Sequence, residues 1–282
     1  MSPQSKKPGE KPAIDQGNVR DSERGRERVI AAYRLVQAGI LTTLLWKISF
    51  FSFANAIYNT IELNDSFFPD LLRSPLFLRL SFLGTAAATL LNLLATSNGL
   101  RKGCSIAAIA GLSILCMHQG SYNDMTFVTA WWCAGWSCWF SYRIDRDPHQ
   151  TLLNKSAFLS RSMISMIILG GAIGKWTSEY WTGQVLHDIY FVDRDFWIFN
   201  YLRETYSSEE LRLIATWHSR NVVIVETTFG LFFWLLGNRV GATVGILVLS
   251  SIAIFSNFLL FSVLSCLIAL SAVGYFANDK AK

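Results

Sequence analysis

Met163-Ile-Ser-Met-Ile-Ile-Leu-Gly-Gly-Ala-Ile-Gly174 runs directly into Lys175 and then into Trp-Thr-Ser-Glu-Tyr-Trp-Thr-Gly183. The run before the lysine is uncharged and rich in apolar and small side chains, the composition of a helix in lipid. Holding an ammonium at the centre of a bilayer costs roughly 3 kcal/mol, and less near the interface, where the side chain can snorkel to water. Two readings follow: an interfacial lysine that snorkels, or a charge retained for function.

The rest of the chain has the same character. Of 282 residues, 51% are hydrophobic and 16% charged, against about 25% charged in an average soluble domain. Eight apolar segments lie at 36–58, 75–96, 103–118, 124–142, 157–176, 215–237, 240–256 and 258–276. Most approach the ~20 residues that cross a hydrocarbon core. The last two form one stretch broken only by Ser256-Asn257, and an unbroken helix of that length would overshoot a bilayer. The pattern predicts an all-α, polytopic transmembrane helix bundle of about eight spans. Residues 1–28 are polar and read as a disordered cytoplasmic tail, with 29–278 as a single membrane domain. No cleavable signal peptide is visible in the tail, so the first apolar segment is expected to act as an uncleaved anchor.

Charge placement orients this bundle. Basic residues crowd the tail, Arg101, Lys102, Arg143, Arg146, Lys155, Arg161, Arg239, Lys280 and Lys282. The opposite loops hold only Arg73, Arg194, Arg203 and Arg212. The positive-inside rule then puts both termini in the cytoplasm and Lys175 at the outer end of the fifth span. A net charge of +5, distributed in this way, sets topology and implies no nucleic-acid partner. The longest outer segment, 177–214, alternates charge with aromatics from Phe191 to Arg203, the pattern of an amphipathic helix lying in the interface. Ser207 and Glu210 then supply a capping box for the sixth span. No internal repeat is evident, which argues against an inverted-repeat transporter. Gly84/Ala88, Gly170/Gly174 and Gly241/Gly245 have the small-residue spacing that lets helices approach closely.

Several side chains stand out for chemistry. Lys47 and Glu226 each fall midway along an apolar segment, and opposite charges at one depth invite a structural ion pair, with a proton path or substrate contact as the alternative. Lys175, His118, His218 and Arg220 converge on the outer face, with Tyr122, Asn123 and Asp124 in the loop after His118. An amine beside Arg220 in apolar surroundings would disfavour its ammonium form and could serve as a base. Trp132, Trp136 and Trp139 share one helical face, either as packing and interface anchors or as a site for a flat ring such as a quinone. The five cysteines, Cys104, Cys116, Cys133, Cys138 and Cys266, form no CxxC and read as buried structural thiols. Their spacing from histidine offers no zinc constellation.

The stretch Gly170 to Gly183 resembles the signature of vitamin K-dependent gamma-carboxylase-like membrane domains. These are the HTTM (horizontally transferred transmembrane) proteins, with the DoxX-like proteins more distant. In them a small, apolar helix ends in lysine, followed a few residues on by a tryptophan and then a glycine. Here Tyr180 or Trp181 takes the aromatic place. His218-Ser-Arg-Asn, the internal Glu226, the basic turn at Asn238-Arg239 and the long apolar tail are similar as well, so the likeness spans roughly residues 30–276. It implies that Lys175 is the base that deprotonates a hydroquinone on the lumenal side, with His118 as the accompanying histidine.

These readings lead to a membrane protein with an outer-face site. Lys175 would act as base with His118 and His218, beside Trp132, Trp136, Trp176 and Arg220, on a quinol-like or lipid substrate. A scaffold or assembly subunit that docks a protein partner through 186–203 is a second expectation. A small-solute permease with Lys47 and Glu226 along its path is a third.

Overall fold

The computed structural model describes residues 16–49, 74–117, 125–256 and 258–278. Among them the secondary structure is helical throughout, with no strand. The helices are α1 (Gln16–Trp46), α2 (Pro75–Leu94), α3 (Asn98–Met117), α4 (Thr126–Arg143) and α5 (His149–Ile173), then three short ones, α6 (Ser178–Trp181), α7 (Gln184–His187) and α8 (Trp197–Thr205). The chain closes with α9 (Ser208–Phe232), α10 (Asn238–Phe255) and α11 (Phe261–Ala272). Five helical segments are long and apolar enough to cross a membrane: Glu23–Trp46, Leu76–Leu94, Asn98–Met117, His149–Ile173 and Asn238–Phe255.

The apolar content is arranged for two environments. Tyr33, Leu112, Phe127, Trp136, Phe140 and Leu152 are completely or almost completely enclosed in the core. Leu76, Leu83, Leu94 and Leu247 stand outward at 58–65% exposure. Such a face would promote aggregation in water, whereas lipid tails match it at no cost. Between the helices, polar side chains supply directed contacts. Tyr33 hydrogen-bonds Ser105 at 2.7 Å, Gln37 donates to Ser137 at 2.7 Å, and Thr43 meets Ser265 at 2.7 Å. The Asn92 amide sits among Tyr33, Ser105 and Gln37. These bonds tie α1 to α2, α3, α4 and α11. Each contributes of order 0.6 kcal/mol inside a membrane protein, and together they fix helix rotation.

The first helix departs from expectation. It begins at Gln16, inside the stretch read as a disordered tail, and its apolar, membrane-length portion among the described residues is Glu23–Trp46; of the expected segment 36–58, residues 50–58 lie outside the described residues. Val29, Ala32, Tyr33, Val36, Ile40 and Leu44 are all fully buried, at the helical spacing that makes one stripe. Alternating charges before Val29 hid the start of that stripe. Residues 1–15 lie outside the described residues. Arg28 donates to the Phe276 carbonyl and to Asn278, so the start of α1 and the end of the chain meet at one end of the bundle. The same end gathers the ion pairs Lys102–Asp145, Lys155–Asp147 and Arg143–Asp147.

The last apolar stretch forms two helices: α10 ends at Phe255 and α11 starts at Phe261, with Asn257 outside the described residues. Phe258 between them holds a left-handed backbone, φ 57°, which a bulky side chain rarely adopts. Gly241 and Gly245 are the small residues at a close approach: a Cβ would meet Arg161 at 2.5 Å or the Ser271 hydroxyl at 2.1 Å. Gly84 and Gly170 meet nothing within 4 Å among the described residues, so neither glycine marks a close approach, while Ala88 is buried.

Candidate functional site

The site is built where α5 ends. Gly174 caps the helix and Lys175 follows in a turn, its backbone N–H bonded to the Ala172 carbonyl. α9 packs along α5, and the two backbones come unusually close at one point. A Cβ on Gly230 would lie 2.8 Å from the Leu169 side chain and 2.9 Å from its backbone. That contact sets the register: Glu226 is one turn before Gly230, and the lysine chain spans the remaining gap. Its ammonium donates to both carboxylate oxygens of Glu226, at 2.6 Å to Oε1. The pair is largely shielded, with side-chain exposures of 26% for Lys175 and 13% for Glu226.

This corrects the expected Lys47–Glu226 pair. Lys47 sits in the turn that closes α1, not midway along a helix. Glu226 lies at the level where α5 terminates, because the first half of α9 extends past that end and carries the short helices. The amine's neighbour is therefore a carboxylate. Arg220 is exposed and turns away, donating from Nε to the Trp181 carbonyl at 3.1 Å, so the like charge invoked to free the amine is not beside it.

The short helices are held to α9 by a polar stripe. Thr216 donates to the Thr182 carbonyl at 2.8 Å, Ser219 donates to the Tyr180 carbonyl, and Arg220 takes Trp181. These three positions share one face of α9 and satisfy the carbonyls that α6 leaves open at its end. Gly183 makes the turn possible. Its φ is +81°, and a Cβ there would strike the Thr216 backbone at 2.5 Å. The α9 start carries the capping box read from sequence, with Ser207 and Glu210 bonded reciprocally.

Together these elements enclose a cavity of about 380 Å³. Its polar lining includes Lys175, Glu226, His218, Arg194, Tyr180 and Tyr190, and its apolar wall includes Ile168, Val248, Ile252 and Phe255. Tyr190 stacks on Phe199 at 4.5 Å, with His218 at 5.7 Å on the same ring. Burial raises the Tyr180 phenol above its ordinary range, and the charge of Glu226 adds to the effect. Burial also raises Tyr190, with Arg194 opposing. Both are therefore O–H groups near neutral pH.

Lys175 and His218 thus share one cavity. His118, Tyr122, Asn123 and Asp124 lie outside the described residues. The tryptophans do not line it. Trp136 is a core residue, stacked on Phe140 at 4.7 Å and donating to the Ser156 carbonyl. Trp132 is half-exposed against Trp131. Trp176 leans on Trp181 and donates to Thr227 at 3.1 Å, latching the Lys175 turn to α9 from outside. Arg194 and Tyr190 joined the site without having been picked out for it, and Tyr180 was named only as an aromatic of the signature, since only the folding-back of 178–205 brings them there. Among the described residues no three His, Cys, Asp or Glu side chains converge as a metal site would need. Comparison with protein-family models, curated proteins and solved structures gives no match to this chain, and its site stands on its own chemistry.

Proposed function

We propose that this is a multi-pass membrane protein that binds an amphiphilic small molecule in the cavity at the end of α5, where Lys175 and Glu226 exchange a proton with it. One observation carries the reading: an ammonium–carboxylate pair sits in the wall of an otherwise largely apolar cavity. A buried pair is a weak device for stability alone, because desolvation offsets much of its attraction. It is a good device for holding a mobile proton. Passage of that proton to Glu226 frees the Lys175 amine. A hydroxyl of the bound molecule then protonates the amine, leaving the ligand oxyanion beside the restored ammonium. A quinol-like ring or a lipid fits the mixture of aromatic, polar and aliphatic lining. The resemblance to carboxylase-like membrane domains supports the same role for Lys175.

In this reading the chain crosses the bilayer about eight times with both termini cytoplasmic. The positive-inside bias supports it, as does the meeting of Arg28 with Phe276 and Asn278 at one end. The test uses the purified chain in neutral-lipid nanodiscs with a decyl-benzoquinol probe, followed by its ultraviolet spectrum. The wild type is expected to bind it and to shift it toward the quinolate form, and Lys175→Met to bind without the shift. An equal shift in Lys175→Met overturns the proton role. One observation favours a docking role besides: Trp197 and Tyr201, one turn apart on α8, are 71% and 63% exposed, a face suited to a partner or to the membrane interface.

A further inference from the structure

Among the described residues Arg194 has no counter-ion. The fixed charges lining the cavity are Lys175, Arg194 and Glu226, and Glu226 is already engaged by Lys175. Asp193 and Asp195 flank Arg194 in sequence, but both are exposed and neither makes an ion pair with it; Asp195 accepts from Asn200. The guanidinium lies over the Tyr190 ring, 5.3 Å from its centroid, and its Nη1 is buried without a hydrogen-bond partner among the described residues. A buried donor left unmade costs about 1–3 kcal/mol, more when charged, so such groups ordinarily have partners. The segment is not loosely placed. Arg203 donates to the carbonyls of Phe191 and Arg194, clamping the backbone on either side of the turn and presenting the guanidinium to the cavity.

The far wall supplies the other half of the argument. Phe255 and Leu260 both line the cavity and stand on the bundle surface, 47% and 43% exposed. The cavity wall therefore reaches the exposed apolar surface of the bundle at the connection between α10 and α11. A head group at Arg194 would leave a chain running past Ile252 and Phe255 into the hydrocarbon.

Resting on the cavity reading above, we infer that the ligand is an amphiphile with one anionic head, a phosphate or carboxylate, anchored by Arg194. One negative charge neutralises the surplus positive charge of the lining, and oxygen acceptors satisfy the orphaned Nη1 in a charge-assisted bond.

The test is calorimetric titration of the full chain in neutral detergent with dodecyl phosphate, dodecanol, inorganic phosphate and the decyl-benzoquinol. Dodecyl phosphate is expected to bind at least about tenfold tighter than dodecanol, the lower bound for a charged hydrogen bond. Arg194→Gln should erase that preference, and Arg194→Lys should restore part of it. An unchanged preference in Arg194→Gln overturns the anchor. If that variant fails to fold, judged by gel filtration and circular dichroism, the wild-type series decides: no preference for dodecyl phosphate over dodecanol overturns the inference. Inorganic phosphate binding as tightly as dodecyl phosphate would make this a free-anion site and overturn the tail assignment. Dodecyl phosphate binding without benzoquinol binding leaves the anchor standing and removes the quinol. Failure of both amphiphiles on wild-type protein removes the cavity reading and this inference together.

Discussion

Neutralising one member of the Lys175–Glu226 pair should cost more than neutralising both. Glu226→Gln leaves an ammonium facing a neutral amide in a site where the lysine side chain is only 26% exposed. Removing one partner of a fully buried pair costs about 3–5 kcal/mol. Partial exposure lets water reach the orphan, so the expected loss is about 2–3 kcal/mol for Glu226→Gln or Lys175→Met. The double variant Lys175→Met/Glu226→Leu replaces the pair by apolar volume and should lie within about 1 kcal/mol of wild type, because the desolvation penalty disappears with the attraction. With Glu226→Leu as the matching single variant, expected to lose as much as Glu226→Gln, the cycle yields a coupling of about 3–6 kcal/mol, far outside the additivity expected of distant sites. Thermal melts in one detergent would read the singles as downward shifts of roughly 4–12 °C, with the double close to wild type. Lys47→Gln combined with Glu226→Gln serves as the control and should be additive. Additive effects across Lys175 and Glu226, or coupling between Lys47 and Glu226, would refute the pairing on which the site is built.

Other expectations follow from the same geometry. Gly230→Ala forces a Cβ against the Leu169 backbone and should cost about 1–3 kcal/mol as overpacking, whereas Gly170→Ala, in open space, should be neutral or gain up to about 1 kcal/mol of helix stability; equal effects in denaturation would contradict the close approach. Gly183→Val combines a left-handed φ with a backbone collision and should release 178–205 from α9, seen as faster amide exchange there while the α1–α4 core stays protected. At the opposite end, Lys155 and Arg143 hold the Asp147 carboxyl below the usual carboxylate range, and Lys102 and Asn98 do the same for Asp145. Their support is fully present above the unfolded value of about 3.9 and is lost as pH falls through the lower folded values. Exchange in the α4–α5 connection should therefore rise below about pH 4, with a smaller rise in Asp147→Asn; a flat profile would show that these pairs hold nothing.

Much of the helical framework was legible residue by residue. The apolar runs at 75–96, 103–118 and 124–142 became α2, α3 and α4 with ends moved by a few positions. The last apolar stretch divided into α10 and α11, and Ser207 with Glu210 formed the predicted cap. Composition and 3.6-residue periodicity are local quantities, and each of these features depends on them alone. The start of α1 was obscured because its buried stripe begins among alternating charges. The Lys47–Glu226 expectation failed because depth was inferred from position within an apolar run, while the level of Glu226 is set by the Gly230–Leu169 contact.

By itself, the sequence determined an all-α chain with helices fit to cross a membrane and a lysine poised at the mouth of one of them. The tertiary structure decided what that lysine meets. Pairing of Lys175 with Glu226, and the arrival of Arg194, Tyr180 and Tyr190 beside them, requires two helices to touch backbone to backbone and a segment of short helices to fold back along α9. Such contacts join residues far apart in the chain through shape complementarity at single glycines, and no periodicity or composition encodes which partner a given glycine will meet.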